Sequence, residues 1–190
     1  MAKAGASENT LRFPEGERSS SSYGNDYLSE FDRVIRAYVR PTEKKVLEWG
    51  MGHTTLFLLD NREAYGLAEF VSIDHDRDYV DRVVAQLPAW PGFMPLHADL
   101  MGPKLSDRDP ELNYATLPLS LRRSFDLIYI DGRRRLECAL AATQFCAPNG
   151  IVVLHDYRRG RYDMVRLLYD ILEEGSQFRV MRTKSFLVAR

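Results

Sequence analysis

Lys45-Val46-Leu47-Glu48-Trp49-Gly50-Met51-Gly52-His53-Thr54-Thr55 is the stretch whose reading decides the fold. Lys45 to Trp49 has the length and apolar content of a buried strand, and Thr54 to Leu59 is an apolar run read as helix. Between them stand two glycines one residue apart. Gly50 and Gly52 let the backbone turn sharply and approach a ligand closely where the helix begins.

Outward from this unit the alternation continues. Phe70 to Ile73, Phe93 to Ala98, Phe125 to Ile130 and Ile151 to Leu154 read as strands, with Pro95 interrupting the second of these. Tyr79 to Leu87, Leu136 to Phe145 and Met164 to Leu172 read as helices, and Leu136, Ala139, Leu140 and Thr143 are expected on one side of theirs. Upstream, Leu28, Phe31, Val34, Ile35 and Tyr38 mark one face of a helix that stops before Pro41. Such alternation specifies an α/β fold, a doubly wound and mostly parallel sheet with helices on both faces. At the C-terminus, Phe178 to Met181 and Ser185 to Ala189, joined by Arg182-Thr183-Lys184, predict an antiparallel hairpin.

The chain has 190 residues, 45% hydrophobic and 28% charged, which fits a single ordinary domain able to build a core. Residues 1–22, with Gly5, Pro14, Gly16 and the run Ser19 to Ser22, carry few large apolar groups and predict a flexible N-terminal arm; 23–190 form the single domain. Segment 100–123, with Pro103, Pro110 and Pro118, is expected to hold a short helix and a substrate-facing loop. Lys and Arg number 26 against 27 Asp and Glu, so no large single-sign field draws the molecule to nucleic acid or anionic lipid. No apolar run approaches the length of a membrane span, and a cytoplasmic protein is expected; a homo-oligomer is left open. Cys138 and Cys146, eight apart in what reads as one helix, lie beyond disulfide reach and are expected in the core.

In an open parallel sheet, ligands bind beyond the carboxyl ends of the strands, where the strand order reverses. The residues after each expected strand are Glu48 to Thr55, then Asp74, then His97-Ala98-Asp99, then Asp131-Gly132-Arg133-Arg134-Arg135, then His155-Asp156-Tyr157-Arg158-Arg159. All four histidines (His53, His75, His97 and His155) fall at this rim. A dinucleotide fingerprint would want a third glycine where Thr55 stands, which counts against NAD or FAD.

The Glu-x-Gly-x-Gly turn, Asp74, the Ala98-Asp99 pair, Phe125 to Gly132 and Pro148 to Asp156, in this order, resemble class I S-adenosylmethionine-dependent methyltransferases over roughly residues 44–190. The resemblance implies the family's Rossmann-like seven-stranded sheet ending in the hairpin. It also implies S-adenosyl-L-methionine as cofactor. On the family's pattern, Glu48, Gly50, Met51 and Gly52 look like the turn around the methionine part, and Asp74 like the ribose clamp. His75 looks like a neighbour of the adenine, Asp99 like the adenine-edge acceptor, and Asp131 like a further cofactor neighbour.

Asp131-Gly132-Arg133-Arg134 stands where nucleic-acid N-methyltransferases carry Asn/Asp-Pro-Pro-Tyr/Phe, so DNA is disfavoured as a partner. The pattern looks closer to small-molecule O-methyltransferases, which implies methyl transfer to a hydroxyl of a small molecule, and the arginine clusters at Arg133 to Arg135 and Arg158-Arg159 add the expectation that this acceptor is anionic. His155, Asp131 and Asp156 are the catalytic candidates, with His155 leading because histidine titrates nearest neutrality. Arg133, Arg135, Tyr157 and Arg158 are the candidates for holding the acceptor. Such enzymes often bind a divalent metal, magnesium or manganese, through carboxylates at the positions of Asp131 and Asp156. This sequence departs from that pattern, because Tyr157 stands where an Asn ligand is expected. A non-catalytic S-adenosylmethionine- or nucleotide-binding protein and a nucleotide-dependent reductase are the alternatives; the reductase would need a Tyr-x-x-x-Lys or comparable catalytic pair.

Overall fold

Strands covered on both faces need apolar side chains at successive positions, and the central strands have them. In the computed structural model, which describes residues 26–40, 42–87, 89–100 and 110–187, these are β1 (Lys44–Trp49), β2 (Leu67–Asp74), β4 (Phe125–Ile130) and β5 (Cys146–His155). With β3 (Phe93–His97), β6 (Tyr169–Glu174) and β7 (Phe178–Thr183) they form one seven-stranded sheet in the order β3-β2-β1-β4-β5-β7-β6. The first five strands pair in parallel, and β7 runs antiparallel to both β5 and β6. The expected fold class is therefore present. The order reverses between β1 and β4, where Trp49 lies opposite Ile130.

Alternation within each strand sorts the core into two layers. Leu47, Trp49, Ile128, Ile130, Val152 and Leu154 face α5 (Pro110–Thr116) and α6 (Arg135–Ala142). Val46, Leu127, Tyr129, Ile151 and Val153 face α1 (Asp26–Tyr38) and α2 (His53–Asp60). Phe31, Val34 and Ile35 of α1 are buried there, as their spacing predicts. A short α3 (Arg62–Tyr65) precedes β2, and α4 (Arg77–Val84) packs Val80 and Val83 against Met51 and Leu56. Pro95 is tolerated because β3 is an edge strand paired only with β2.

Three local expectations are corrected. The terminal hairpin consists of β6 and β7 joined through Gly175-Ser176-Gln177, whereas Ser185–Leu187 is a 3-10 turn. The apolar run from Met164 to Leu172 splits into the end of a 3-10 segment, Gly160–Leu167, and the first part of β6. A register shift between Ile171 and Glu173 breaks the period-two signal that would have marked β6. In α6 the buried side is Cys138, Ala139 and Ala142, and Leu140 is 48% exposed. Cys146 opens β5 rather than sharing a helix with Cys138; both are free thiols, Cys138 buried and Cys146 half-buried.

The expected N-terminal arm and residues 101–109 of segment 100–123 lie outside the described residues. No helix of the described residues is long and apolar enough to cross a membrane.

Candidate active site

The carboxyl ends of β1 and β4 meet at the reversal point, and glycine makes the meeting feasible. Gly50 has a φ of 97°, and a Cβ there would lie 2.5 Å from the Gly132 nitrogen. A Cβ on Gly132 would in turn collide with the Tyr114 hydroxyl and the Gly50 nitrogen. The two turns therefore touch backbone to backbone, and Asp131 N–H donates to Trp49 O at 2.8 Å. A Cβ on Gly52 would meet nothing within 4 Å, so that glycine faces open space.

Beneath the turn lies Glu48, fully buried. Its Oε2 accepts from Thr55 Oγ1 at 2.5 Å and from Ser72 Oγ at 2.6 Å, and Thr55 Oγ1 accepts from Gly52 N–H at 2.8 Å. This explains the threonine in place of a third glycine: its hydroxyl ties the turn to the buried acid. Burial pushes the Glu48 carboxyl up to about 8; the two hydroxyls oppose the shift, and Asp131 and Asp74 add to it. Glu48 Oε1 has no partner.

Asp74, at the end of β2, is buried and collects backbone donors. Met51 N–H donates to Oδ2 at 3.0 Å, while His75 N–H and Asp76 N–H donate to Oδ1 at 2.7 and 3.0 Å. His75 Nδ1 also approaches Oδ1 at 2.9 Å, close but not aligned as a hydrogen bond. Oδ2 thus retains acceptor capacity while Oδ1 is saturated.

A cleft of about 620 Å³ opens over these groups. Gly50, Met51, Gly52, Asp74 and His75 line one side, and Asp131, Arg133 and Arg135 line the other. Glu48 lies under the floor, and Asp99, exposed after β3, is not part of the lining. His53 and Thr54, already expected at this rim, also line the cleft, as do Tyr27, Asp76, Tyr79 and Arg82, which sequence reading does not place there. Asp76, Tyr79 and Arg82 carry a legible signal, since their spacing of three places them on one face of α4 directly after Asp74. Tyr27 carries none, because nothing local ties the N-terminal helix to this rim. Burial is the main cause that raises the Tyr27 phenol, to about 12, followed by the Asp131 carboxylate, and burial holds the His53 imidazole below its usual value.

Behind Asp131 stands His155. Its Nδ1 lies 2.8 Å from Asp131 Oδ1, again without hydrogen-bond alignment, and its ring is stacked with Tyr27 and packed on Phe178 at centroid distances of 5.9 and 5.2 Å. His155 Nε2 has no hydrogen-bond partner among the described residues.

Asp156, Tyr157 and Arg158 line a separate, smaller cleft of about 320 Å³ with Arg159, Ser176 and Gln177. The Tyr157 hydroxyl donates to Gly175 O at 3.0 Å, turned toward the hairpin, and Arg158 reaches the same carbonyl at 3.3 Å.

The implied metal does not fit the donor set. The Arg135 guanidinium contacts both carboxylates proposed as ligands, Asp131 Oδ1 at 2.8 Å and Asp156 Oδ2 at 3.4 Å. Tyr157 supplies no replacement for the missing amide. Among the described residues no three His, Cys, Asp or Glu side chains converge as metal ligands.

Comparison with known proteins agrees with this architecture. A family model described as a methyltransferase domain matches residues 47–157, more than half of the chain. Among solved structures, a methyltransferase-like protein from Silicibacter pomeroyi is 20% identical, covering 82% of this chain and 85% of its own, with a TM-score of 0.63. CalS11, a TDP-rhamnose 3'-O-methyltransferase of calicheamicin biosynthesis, is 13% identical over 85% of this chain and 80% of its own, with a TM-score of 0.62. The N-methyltransferase NodS from Bradyrhizobium japonicum, in complex with S-adenosylhomocysteine, is 12% identical over 87% of this chain and 89% of its own, with a TM-score of 0.60. No curated protein sequence matches. The matched stretch runs from the buried start of the glycine turn through the acidic rim to Tyr157, and on that basis the chain belongs to the class I S-adenosylmethionine-dependent methyltransferases.

Proposed function

We propose that this protein transfers the methyl group of S-adenosylmethionine to a hydroxyl of a small, anionic molecule. The observation that carries the reading is the single cleft in which the glycine turn faces the Asp131 carboxylate, with His155 against it. Gly52 leaves room where a cofactor's amino-acid end would pass, and Asp74 Oδ2 keeps acceptor capacity for a ribose hydroxyl. His75, Tyr79 and Arg82 offer flat or cationic surfaces for the base. Asp99 is the least supported cofactor contact, since it stands outside the cleft.

When bound, the sulfonium supplies an electrophilic methyl group, so the protein's share is to align the acceptor and accept its proton. The solved neighbours include an O- and an N-methyltransferase by name, and they do not choose between acceptor atoms. The Asp131–His155 pair supports oxygen, because a hydroxyl must lose a proton on methylation. Asp131 Oδ1 stands 2.8 Å from Nδ1 of the imidazole, so in this reading Nε2, which has no hydrogen-bond partner among the described residues, is the nitrogen that takes the proton, although His155 stands behind Asp131 and does not line the cleft. Arg133, exposed at the cleft edge with no side-chain partner among the described residues, supports an anionic acceptor.

The test is transfer of label from methyl-labelled S-adenosylmethionine to a panel of hydroxylated compounds, each paired as acid and neutral amide. The expected result is an O-methyl product favouring the acids. N-methylation, or equal rates on acid and amide, contradicts the hydroxyl or the anion assignment respectively. Absence of turnover with every compound, despite cofactor binding, would favour a non-catalytic binding protein.

A further inference from the structure

The two carboxylates at the ends of β4 and β5 already share a cation. Arg135 is only 13% exposed, and its guanidinium spends its donors on this rim. Nε donates to Gly132 O at 3.1 Å, one terminal nitrogen to His155 O at 2.7 Å, and the other to Asp131 O at 2.9 Å and Asp131 Oδ1 at 2.8 Å. The nitrogen that serves His155 O also stands 3.4 Å from Asp156 Oδ2. One side chain thus ties the ends of two adjacent strands through three carbonyls and two carboxylates.

Two neighbouring carboxylates repel each other, and a cation set between them offsets that repulsion. A guanidinium meets that need permanently, since it does not deprotonate in proteins and its planar fork spans several acceptors. A magnesium ion would require oxygens drawn in to about 2.0–2.1 Å in near-octahedral array. To enter here it would have to displace five contacts, and Asp131 Oδ1 is also engaged by His155 Nδ1.

Resting on the reading of this cleft as a methyl-transfer site, we propose that Arg135 is its resident cation: the guanidinium stands between Asp131 and Asp156 where a divalent ion would otherwise bind, so transfer runs without a metal. Arg135 is a positioning residue in this account. It holds the Asp131 carboxylate in place beside His155 and gives the two carboxylates one shared positive partner.

The experiment is calorimetric titration of manganese chloride into the EDTA-treated full-length protein, wild type and Arg135→Ala. The wild type is expected to bind no manganese below millimolar concentration and to melt at the same temperature with EDTA or manganese. Arg135→Ala removes the cation the two carboxylates share, leaving only the Arg159 contact to Asp156 at 3.5 Å and the His155 contact to Asp131 at 2.8 Å, and is expected to bind manganese at least tenfold more tightly than the wild type. Adding Asp156→Asn should abolish that gain. Micromolar manganese binding by the wild type that is lost in Asp156→Asn overturns the proposal, and so does a folded Arg135→Ala that binds no better than the wild type. The wild-type arm is compared only with Asp156→Asn, so it decides even if Arg135→Ala fails to fold. No methyl donor or acceptor enters the assay, and a negative acceptor panel would leave its result intact.

Discussion

Replacing Glu48 by Gln should change how stability depends on pH. The carboxyl is fully buried, and its folded value of about 8 stands well above the ordinary 4.5. Between those values the folded protein keeps a proton that the unfolded chain has released, so stability falls as pH rises and levels off above about 8. The slope is about 1.4 kcal/mol per pH unit, which amounts to about 2–3 kcal/mol between pH 6 and pH 8. For a chain of this size that corresponds to roughly 5–10 °C in Tm. Glutamine is the neutral counterpart: its carbonyl can accept from Thr55 and Ser72 as Oε2 does, and its amide occupies the position of the unpartnered Oε1. Thermal melts followed by circular dichroism at pH 4.5, 6, 7, 8 and 9 should show the two proteins nearly equal at pH 4.5 and the advantage of the variant growing with each unit up to about pH 8. The difference between them cancels every group they share. Parallel curves across the whole range would refute the claim that this acid is held neutral by burial.

Gly50→Ala should be strongly destabilising, by roughly 2 kcal/mol or more, because a methyl group would enter at a φ of 97° and press on the Gly132 nitrogen; denaturant unfolding measures the loss. Arg133→Ala should raise the KM of an acidic acceptor by about tenfold or more while leaving the affinity for S-adenosylhomocysteine little changed, as expected for a lost charge-assisted contact of roughly 1.5–3 kcal/mol. His155→Ala should lower kcat by about 10²–10⁴ with little change in cofactor affinity if the imidazole accepts the hydroxyl proton, a split that steady-state kinetics with matched calorimetry would resolve.

The fold is legible because the patterns that specify it are periodic and local. Central strands such as Phe125–Ile130 are apolar on both faces, and the turn at Gly50 announces itself in two glycines. The last hairpin eludes the sequence for an equally local reason: the bulge between Ile171 and Glu173 erases the alternation of β6, so the turn residues Gly175 and Ser176 follow no recognisable strand pattern. On the glycine-turn side the cleft follows strand ends, and Gly50, Met51, Gly52, Asp74 and His75 line it where those ends are expected. Its other contributors could not all be found this way. Tyr27, more than twenty residues upstream of the glycine turn, reaches the rim from the first turn of α1, and only the packing of Phe31, Tyr129 and Phe178 brings it over His155. Likewise, the role of Arg135 depends on which carbonyls its fork meets, and a run of three arginines does not encode that.

Calorimetric titration with S-adenosylhomocysteine, run on the wild type and Asp74→Ala, tests the central claim most directly, because the whole account turns on this cleft holding the cofactor. The wild type should bind one molecule at micromolar affinity. Asp74→Ala should bind about tenfold or more weakly, since a charged acceptor worth roughly 1.5–3 kcal/mol is lost together with the support it gives Met51 N–H. No binding to the wild type, or equal affinity in the two proteins, would contradict it.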